Sequence, residues 1–285
     1  MSITIFEDEN CKGESRTLSG NITDLKGQRA DKPSSIRLSS DEDEVLLFKN
    51  DDWHGGVLYL RGPKTVSDLG KKDEGGKSGF GNSIRSIRFT PFELDLNVTV
   101  VKDANGKLPG AWTSEAQARV GVEDVVTGAN AFFTAQRALL SLEIARITFR
   151  TSDKQFTMNK NEGVPNDWTE KGEVDVIFVN RFTGDKGVLG VGRFPCWGQT
   201  VVVAATANST QGADVVQSVS DMVYVLVHEI GHYLGLSHGS ANDNKSNIMY
   251  ESVQGIYKAQ RLLPDQIEEM HEKLSRNISR RGDRN

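Results

Sequence analysis

Apolar and polar positions follow two different rhythms along this chain of 285 residues. Up to residue 90 the apolar runs are short and alternate: Ile3–Ile5, SSIRL at 34–38, VLLF at 45–48, VLYL at 57–60 and SIRSIRF at 83–89. Gly, Ser and Asp fill the intervals. Successive strand side chains point to opposite faces, so such runs predict an antiparallel all-β unit. The junction falls at TPF, residues 90–92, where Pro91 withholds an N–H from any strand ladder.

Beyond it the periods lengthen. LDLNVTVV (94–101) reads as a strand, and residues 114–142 as one long helix capped by Ser114. ARITFR (145–150) and VDVIFVN (174–180) are β-branched strands, and 187–206 holds two more around Pro195, Cys196, Trp197 and Gly198. Strand, helix, strand, strand implies a mixed, mostly parallel sheet with a crossover helix, hence an α+β domain. The expected division is 1–91 for an all-β domain and 92–285 for the second.

The first part repeats itself. FEDENCKG (Phe6 to Gly13) returns 42 residues later as FKNDDWHG (Phe48 to Gly55), and DKPSSIRL (31–38) returns as NSIRSIRF (82–89) after an insertion around KKDEGGKSG. A repeat of about 40 residues marks duplicated units that bury one common face. With the aromatic-x4-aromatic-x-Gly corner and the Ser-Ile-Arg ending in both copies, this stretch resembles the βγ-crystallin family, apart from Cys11 in place of the second aromatic. The resemblance implies two paired Greek-key motifs over residues 2–90.

Many microbial members of that family bind Ca²⁺ through a six-residue pattern: two Asp/Asn, two free positions, Ser/Thr and Ser. Here the copies read ADKPSS and GNSIRS. The resemblance implies one crossed site, built from the Glu7 and Lys32 carbonyls, the Ser34 hydroxyl and the Asn82 side chain. A second site would set Asp31 against Arg85, and a guanidinium has no lone pair for a cation. The alternative is a purely structural β-domain.

The densest chemistry lies at 228–238, HEIGHYLGLSH, which holds three of the five histidines. DMVYVLVHEIGHYLG (221–235) predicts a helix whose Val223, Leu226, Val227, Ile230 and Leu234 share a buried face. His228 and His232 are four apart and stack one turn above each other. Gly235 accepts the left-handed conformation that ends a helix, which lets His238 return to the same point. Three imidazoles with no fourth protein ligand suit a Zn²⁺ that keeps one position for water, and Glu229 stands beside it as the base.

SNIMYES (246–252) follows closely. HExxHxxGxxH followed by a methionine resembles the metzincin clan of zinc peptidases. That resemblance implies zinc on His228, His232 and His238, catalysis by Glu229, and a tight turn with Met249 beneath the metal. It further likens GVLGVGRFP (187–195) to the edge strand over the substrate cleft, and RLLPDQIEEMHEKL (261–274) to the closing C-terminal helix. Where some members carry a switchable tyrosine ligand two residues after the methionine, this chain has Glu251, so Tyr250 is assigned to packing or to the pocket border.

Composition narrows the classes. With 34 basic and 39 acidic residues the net charge is −5, which favours no nucleic-acid partner. Runs such as MVYVLV (222–227) are too short for a membrane span. No secretory signal is visible at the N-terminus, so the expectation is export by another route, with a cytoplasmic protein as the alternative. Cys11 and Cys196 read as isolated thiols. Cys11 also suggests contact between the β-domain and the cleft, like the latency cysteines of some metzincins, against the simpler role of filling an aromatic's place. RGD at 281–283 is a chance tripeptide in a solvated tail. The reading is a zinc endopeptidase acting on protein or peptide substrates, with an accessory, Ca²⁺-binding or regulatory β-module. The alternative is a Ca²⁺-binding structural protein with an inactive zinc domain.

Overall fold

The computed structural model describes residues 1–27, 30–71, 79–169, 174–183, 188–192, 200–208, 214–238, 245–250 and 261–278. Cys196, Glu251 and the RGD tripeptide lie outside them. The chain forms two compact units, Met1–Pro91 with Leu263–Asn285, and Phe92–Leu262. Among the described residues no helix is long and apolar enough to cross a membrane.

The first unit holds β1 (Ile3–Asp8), β2 (Lys12–Leu18), β3 (Ser35–Leu38), β4 (Glu44–Phe48), β5 (Val57–Arg61), β6 (Lys64–Val66) and β7 (Ser86–Arg88). They make two antiparallel sheets ordered β2-β1-β3-β6 and β5-β4-β7. The repeats exchange pieces: β6, from the second copy, pairs with β3, while Ile22, from the first, bridges Ile87 of β7. Ile3, Ile5 and Ile36 meet Val45, Leu47, Leu58 and Ile87 between the sheets.

The repeated motif has a mechanical reason. In copy one, Ser35 Oγ accepts the Cys11 N–H at 3.0 Å and donates to the Asp8 carbonyl at 2.5 Å. In copy two, Ser86 Oγ accepts from Trp53 N at 2.9 Å and donates to Asn50 O at 2.6 Å. Each fully buried serine therefore pins a corner whose backbone runs through positive φ, at Asn10 and Cys11 or at Asp52 and Trp53. Glycine closes both corners, Gly13 at φ 74° and Gly55 at φ 86°, and a Cβ there would meet Asp8 or Asn50 within 3 Å.

The C-terminal helix Pro264–Ile278 differs from its expected place. It packs against β5, and Ser275 Oγ donates to the Gly55 carbonyl at 3.0 Å. Val57 to Leu60 are buried at four consecutive positions, so both faces of β5 are covered. The helix's buried Ile267, Met270 and Leu274 form an apolar stripe suited to one of them. By contacts, residues 263–285 count with the first unit.

The second unit contains β8 (Phe92–Lys102), α1 (Glu115–Ala135), β9 (Leu140–Thr151), α2 (Asp153–Phe156), β10 (Thr157–Asn159), β11 (Val174–Val179) and β12 (Arg181–Thr183). It continues with β13 (Gly190–Gly192), β14 (Thr200–Ala204), β15 (Thr206–Asn208), β16 (Asp214–Val216) and α3 (Val219–Tyr233). The main sheet runs β13-β14-β11-β8-β9, parallel except for the antiparallel edge strand β13. All six residues of β11 are buried, as a parallel strand covered on both faces requires.

One element is shorter than its period predicts. Ser114 caps α1 as expected, but the helix stops at Ala135, and Leu140–Leu142 already belong to β9. Arg137 at φ 57° and Leu139 at φ 47° turn the chain out of the helix. Buried Ala138, Leu139 and Leu140 fit either period, which is why the pattern alone did not mark the break.

Candidate metal centre

Helix α3 begins on a capping box. Ser218 Oγ accepts the Asp221 N–H at 3.2 Å, and the Asp221 carboxylate accepts the Ser218 N–H at 3.0 Å. Its far end closes in a left-handed turn at Gly235, φ 102°, with Leu236 N donating to Gly231 O and Gly235 N to His232 O. The buried face is wider than one stripe: Met222, Val225 and Val227 are enclosed, whereas Val223 is only half-buried.

The turn at Gly235 brings His238 back to the helix. His238 Nε2 lies 3.1 Å from His228 Nε2 and 3.0 Å from His232 Nε2. His228 Nδ1 is 2.6 Å from the Ile248 carbonyl, and His232 Nδ1 is 2.8 Å from the Leu236 carbonyl. A carbonyl accepts only, so both rings carry their proton on Nδ1 and turn a lone pair inward from Nε2. A single proton on His238 bridges one of these lone pairs and leaves the other facing a nitrogen. A cation satisfies all three.

The spacing agrees with that. Tetrahedral Zn–N bonds of about 2.0–2.1 Å set their nitrogens about 3.3 Å apart. Backbone carbonyls that fix the ligand rings are the usual outer support of such a centre. His228 is buried, while His232 and His238 are half-exposed, so the centre opens to one side. Among the described residues this is the one cluster of three or more His, Cys, Asp or Glu with metal-binding geometry.

Burial and the neighbouring imidazoles push the His228 pKa down to about 3, and burial also lowers that of His232. Both rings stay neutral and available as ligands at neutral pH. Glu229 moves the other way: burial pushes its carboxyl up to about 8, opposed by a hydrogen bond from the Gly192 N–H. That donor belongs to the edge strand β13. A Cβ at Gly190 would stand 2.6 Å from Glu229 Cγ, and one at Gly192 2.9 Å from Glu229 Oε2. The two glycines of GVG therefore let β13 lie directly on the carboxylate.

A turn after His238 completes the support. Tyr250 N donates to Asn247 O at 3.0 Å, and Met249 N to Asn247 Oδ1 at 2.8 Å. Met249 is wholly buried, and its sulfur lies 2.5 Å from where a Cβ at Gly231 would stand. The turn thus presents the Ile248 carbonyl to His228 from one side and packs sulfur under α3 from the other. Reading the sequence for ligands missed Asn247, Gly190 and Gly192. Their visible signals were an Asn two places before the methionine and a Gly-x-Gly in the edge strand.

Two of the expected Ca²⁺ ligands meet: Ser34 Oγ donates to Asn82 Oδ1 at 3.3 Å. Asp31 accepts the Gly27 N–H at 3.0 Å, and Arg85 pairs with Asp24 at 3.1 Å. Cys11 is half-buried and carries no disulfide.

Comparisons with known proteins add the following. The family described as Matrixin matches residues 124–272. No curated protein matches the chain. Among solved structures, a βγ-crystallin from Ciona intestinalis is 19% identical, covering 32% of this chain and 100% of its own, with a TM-score of 0.27. A βγ-crystallin domain from Clostridium beijerinckii is 22% identical, covering 31% and 95%, with a TM-score of 0.25.

Proposed function

From the premise that this chain belongs to the matrixin family, we propose that it is a zinc-dependent endopeptidase acting on extended protein segments. The observation that carries the reading is the convergence of three Nε2 atoms beside a buried carboxylate. When bound by His228, His232 and His238, Zn²⁺ supplies an electrophile that acidifies a water and polarises the scissile carbonyl.

The chain's own groups do the rest. Burial, opposed by the Gly192 N–H, leaves the Glu229 pKa raised to about 8, and a dication held by the three histidines would favour its ionised form, a base near neutrality. Glu229 takes the proton of the attacking water and delivers it to the leaving amide nitrogen. The Gly192 N–H holds the carboxylate in place, and the Ile248 and Leu236 carbonyls hold the imidazoles. Substrate adds as a strand along β13, the edge of the main sheet. The turn at 247–250 is the Met-turn of this reading, and it braces α3 from below.

The first unit serves as an accessory module. Its exchange of β6 and Ile22 between the sheets supports a double Greek key. In this reading Ser34 and Asn82 offer a cation at most a weak site, and Arg85, whose guanidinium has no lone pair to give, speaks against a second one.

The test is cleavage of a random peptide library by the zinc-loaded protein, with and without a chelator. Glu229→Gln is expected to keep its zinc while turnover falls about 10²–10⁴-fold, the usual worth of a general base. Wild-type turnover in that variant refutes the role of Glu229, and no cleavage by the zinc-loaded parent refutes the peptidase.

A further inference from the structure

The chain passes between its two units for the second time at Leu262–Leu263, and this crossing has no slack. The Leu262 N–H donates to Gln136 Oε1, at the end of α1, at 3.0 Å. The next N–H, on Leu263, donates to Gln266 Oε1 of the C-terminal helix at 2.9 Å, and the Leu263 carbonyl accepts from Ile267 N. Successive residues are thus committed to different units. Beyond them the helix is anchored within the first unit, packed against β5 and bonded through Ser275 Oγ to the Gly55 carbonyl.

Before the crossing, the same short segment supports the metal centre. Ile248 N donates to the Arg261 carbonyl at 3.1 Å, and Asn247 and Arg261 form an isolated parallel bridge. Ile248 then offers its own carbonyl to His228 Nδ1 at 2.6 Å. One bridge fixes a segment far less firmly than the repeated bonds of a ladder. The position of Arg261–Leu262 therefore also depends on the helix, which begins at Pro264 with only Leu263 between.

We propose that the C-terminal helix is a strap through which the folded first unit steadies the metal centre. Docking of the helix on β5 fixes Leu263, and Leu263 holds Arg261 against Ile248. The Ile248 carbonyl in turn keeps the His228 ring with Nε2 towards the other two imidazoles. Coupling of this kind needs a contiguous set of bonds and an element with two states. The bonds are those above, and the two states are the helix docked and the helix released. A group that orients a ligand ring is worth about 10–100-fold in metal affinity, so a slackened strap is measurable. The inference rests on the zinc reading of the three imidazoles, and it holds whether or not the protein cleaves peptides.

Leu274→Ala, in the buried stripe of the helix, and Ser275→Ala, which loses the bond to Gly55, loosen the strap at residues of the first unit. In the full chain, zinc affinity is read by chelator competition and the His228 Nδ1–H by its proton NMR resonance. Leu274→Ala is expected to bind zinc about tenfold more weakly and to exchange the Nδ1 proton faster, at temperatures where melting shows it folded. Ser275→Ala is expected to do the same to a smaller extent. Linkage requires the reverse effect, so zinc is expected to slow hydrogen exchange of the helix amides. Four glycines inserted between Leu262 and Leu263 give the strap slack. That insertion is expected to weaken zinc by itself, and in its background Leu274→Ala is expected to change zinc affinity no further. Equal zinc affinity in the parent and Leu274→Ala, or an undiminished loss in the slack background, would overturn the proposal. Should Leu274→Ala fail to fold, Ser275→Ala and the insertion decide the matter in the same way. A parent that takes up no zinc refutes the metal reading instead; an Nδ1–H resonance left unchanged by Ser275→Ala and by the insertion in the metal-free protein then overturns the strap as well.

Discussion

Two places in this chain carry a motif-level promise of a cation, and they are built differently. At the histidine centre the three imidazoles converge to about hydrogen-bond distance, and two are turned inward by separate groups, Ile248 O for His228 and Leu236 O for His232. At the Ser34–Asn82 pair the hydroxyl turns its proton to the amide oxygen, and no further group among the described residues is seen to orient either ligand. Two carboxylates of the unit have partners of their own, Asp31 with Gly27 N and Asp24 with Arg85. A ligand set becomes a site when its lone pairs have no better partner than the ion. Matching residue types at the right spacing does not ensure that.

The comparison is broken most forcefully at the histidines. His238→Ala is expected to lose stoichiometric zinc and with it all metal-dependent cleavage, a larger loss than the about 10–100-fold typical of a supporting group. Ser34→Ala and Asn82→Ala are expected to leave zinc content and cleavage unchanged. Metal analysis of the three purified variants checks this. Gly190→Ala comes next. A methyl group there presses on Glu229 and Val225, and the expected cost is about 1–3 kcal/mol of stability with reduced turnover, read by thermal melting and steady-state kinetics.

The pH dependence of the metal-free protein sharpens the contrast within the histidine centre itself. His228 is held at about 3 against an ordinary value of 6.5, so its contribution is complete above pH 6.5 and is lost as pH falls towards 3. Glu229 is held at about 8 against 4.5, so the folded state keeps its proton more tightly than the unfolded one. Its contribution is complete below pH 4.5 and is lost as pH rises towards 8. Denaturant midpoints of the metal-free protein are therefore expected to decline between pH 6.5 and 8, and Glu229→Gln is expected to flatten that decline. The smallest effect belongs to Ca²⁺. About 1 mM is expected to stabilise the first unit by no more than about 0.4 kcal/mol, as for a ligand near its Kd. A rise of several kcal/mol, measured by melting, would mean that the oxygen ligands assemble after all.

Much of this was legible in the residues. The strands of the first unit, the cap at Ser114 and the bend at Gly235 each follow from a local rule that the fold respects. The histidine spacing was informative because a helix fixes where positions four apart must lie. What escaped were relations between distant segments. The serine of Ser-Ile-Arg repeats visibly, yet its task of pinning a corner 24 residues away in copy one appears only in the folded chain. Gly190 and Gly192 sit in a stretch that reads as an edge strand, and why they must be glycines shows only once Glu229 is seen against them. The C-terminal helix carries an apolar stripe that fits more than one surface, and no period in it says that β5 is the one it meets.

The central claim concerns the ion and its three imidazoles, and X-ray absorption at the zinc edge of the fully loaded protein addresses it most directly. The expected spectrum shows three imidazole nitrogens and one further oxygen at about 2.0–2.1 Å. A sulfur or carboxylate from the protein filling the fourth position, or a first shell with fewer than three imidazoles, would contradict the account.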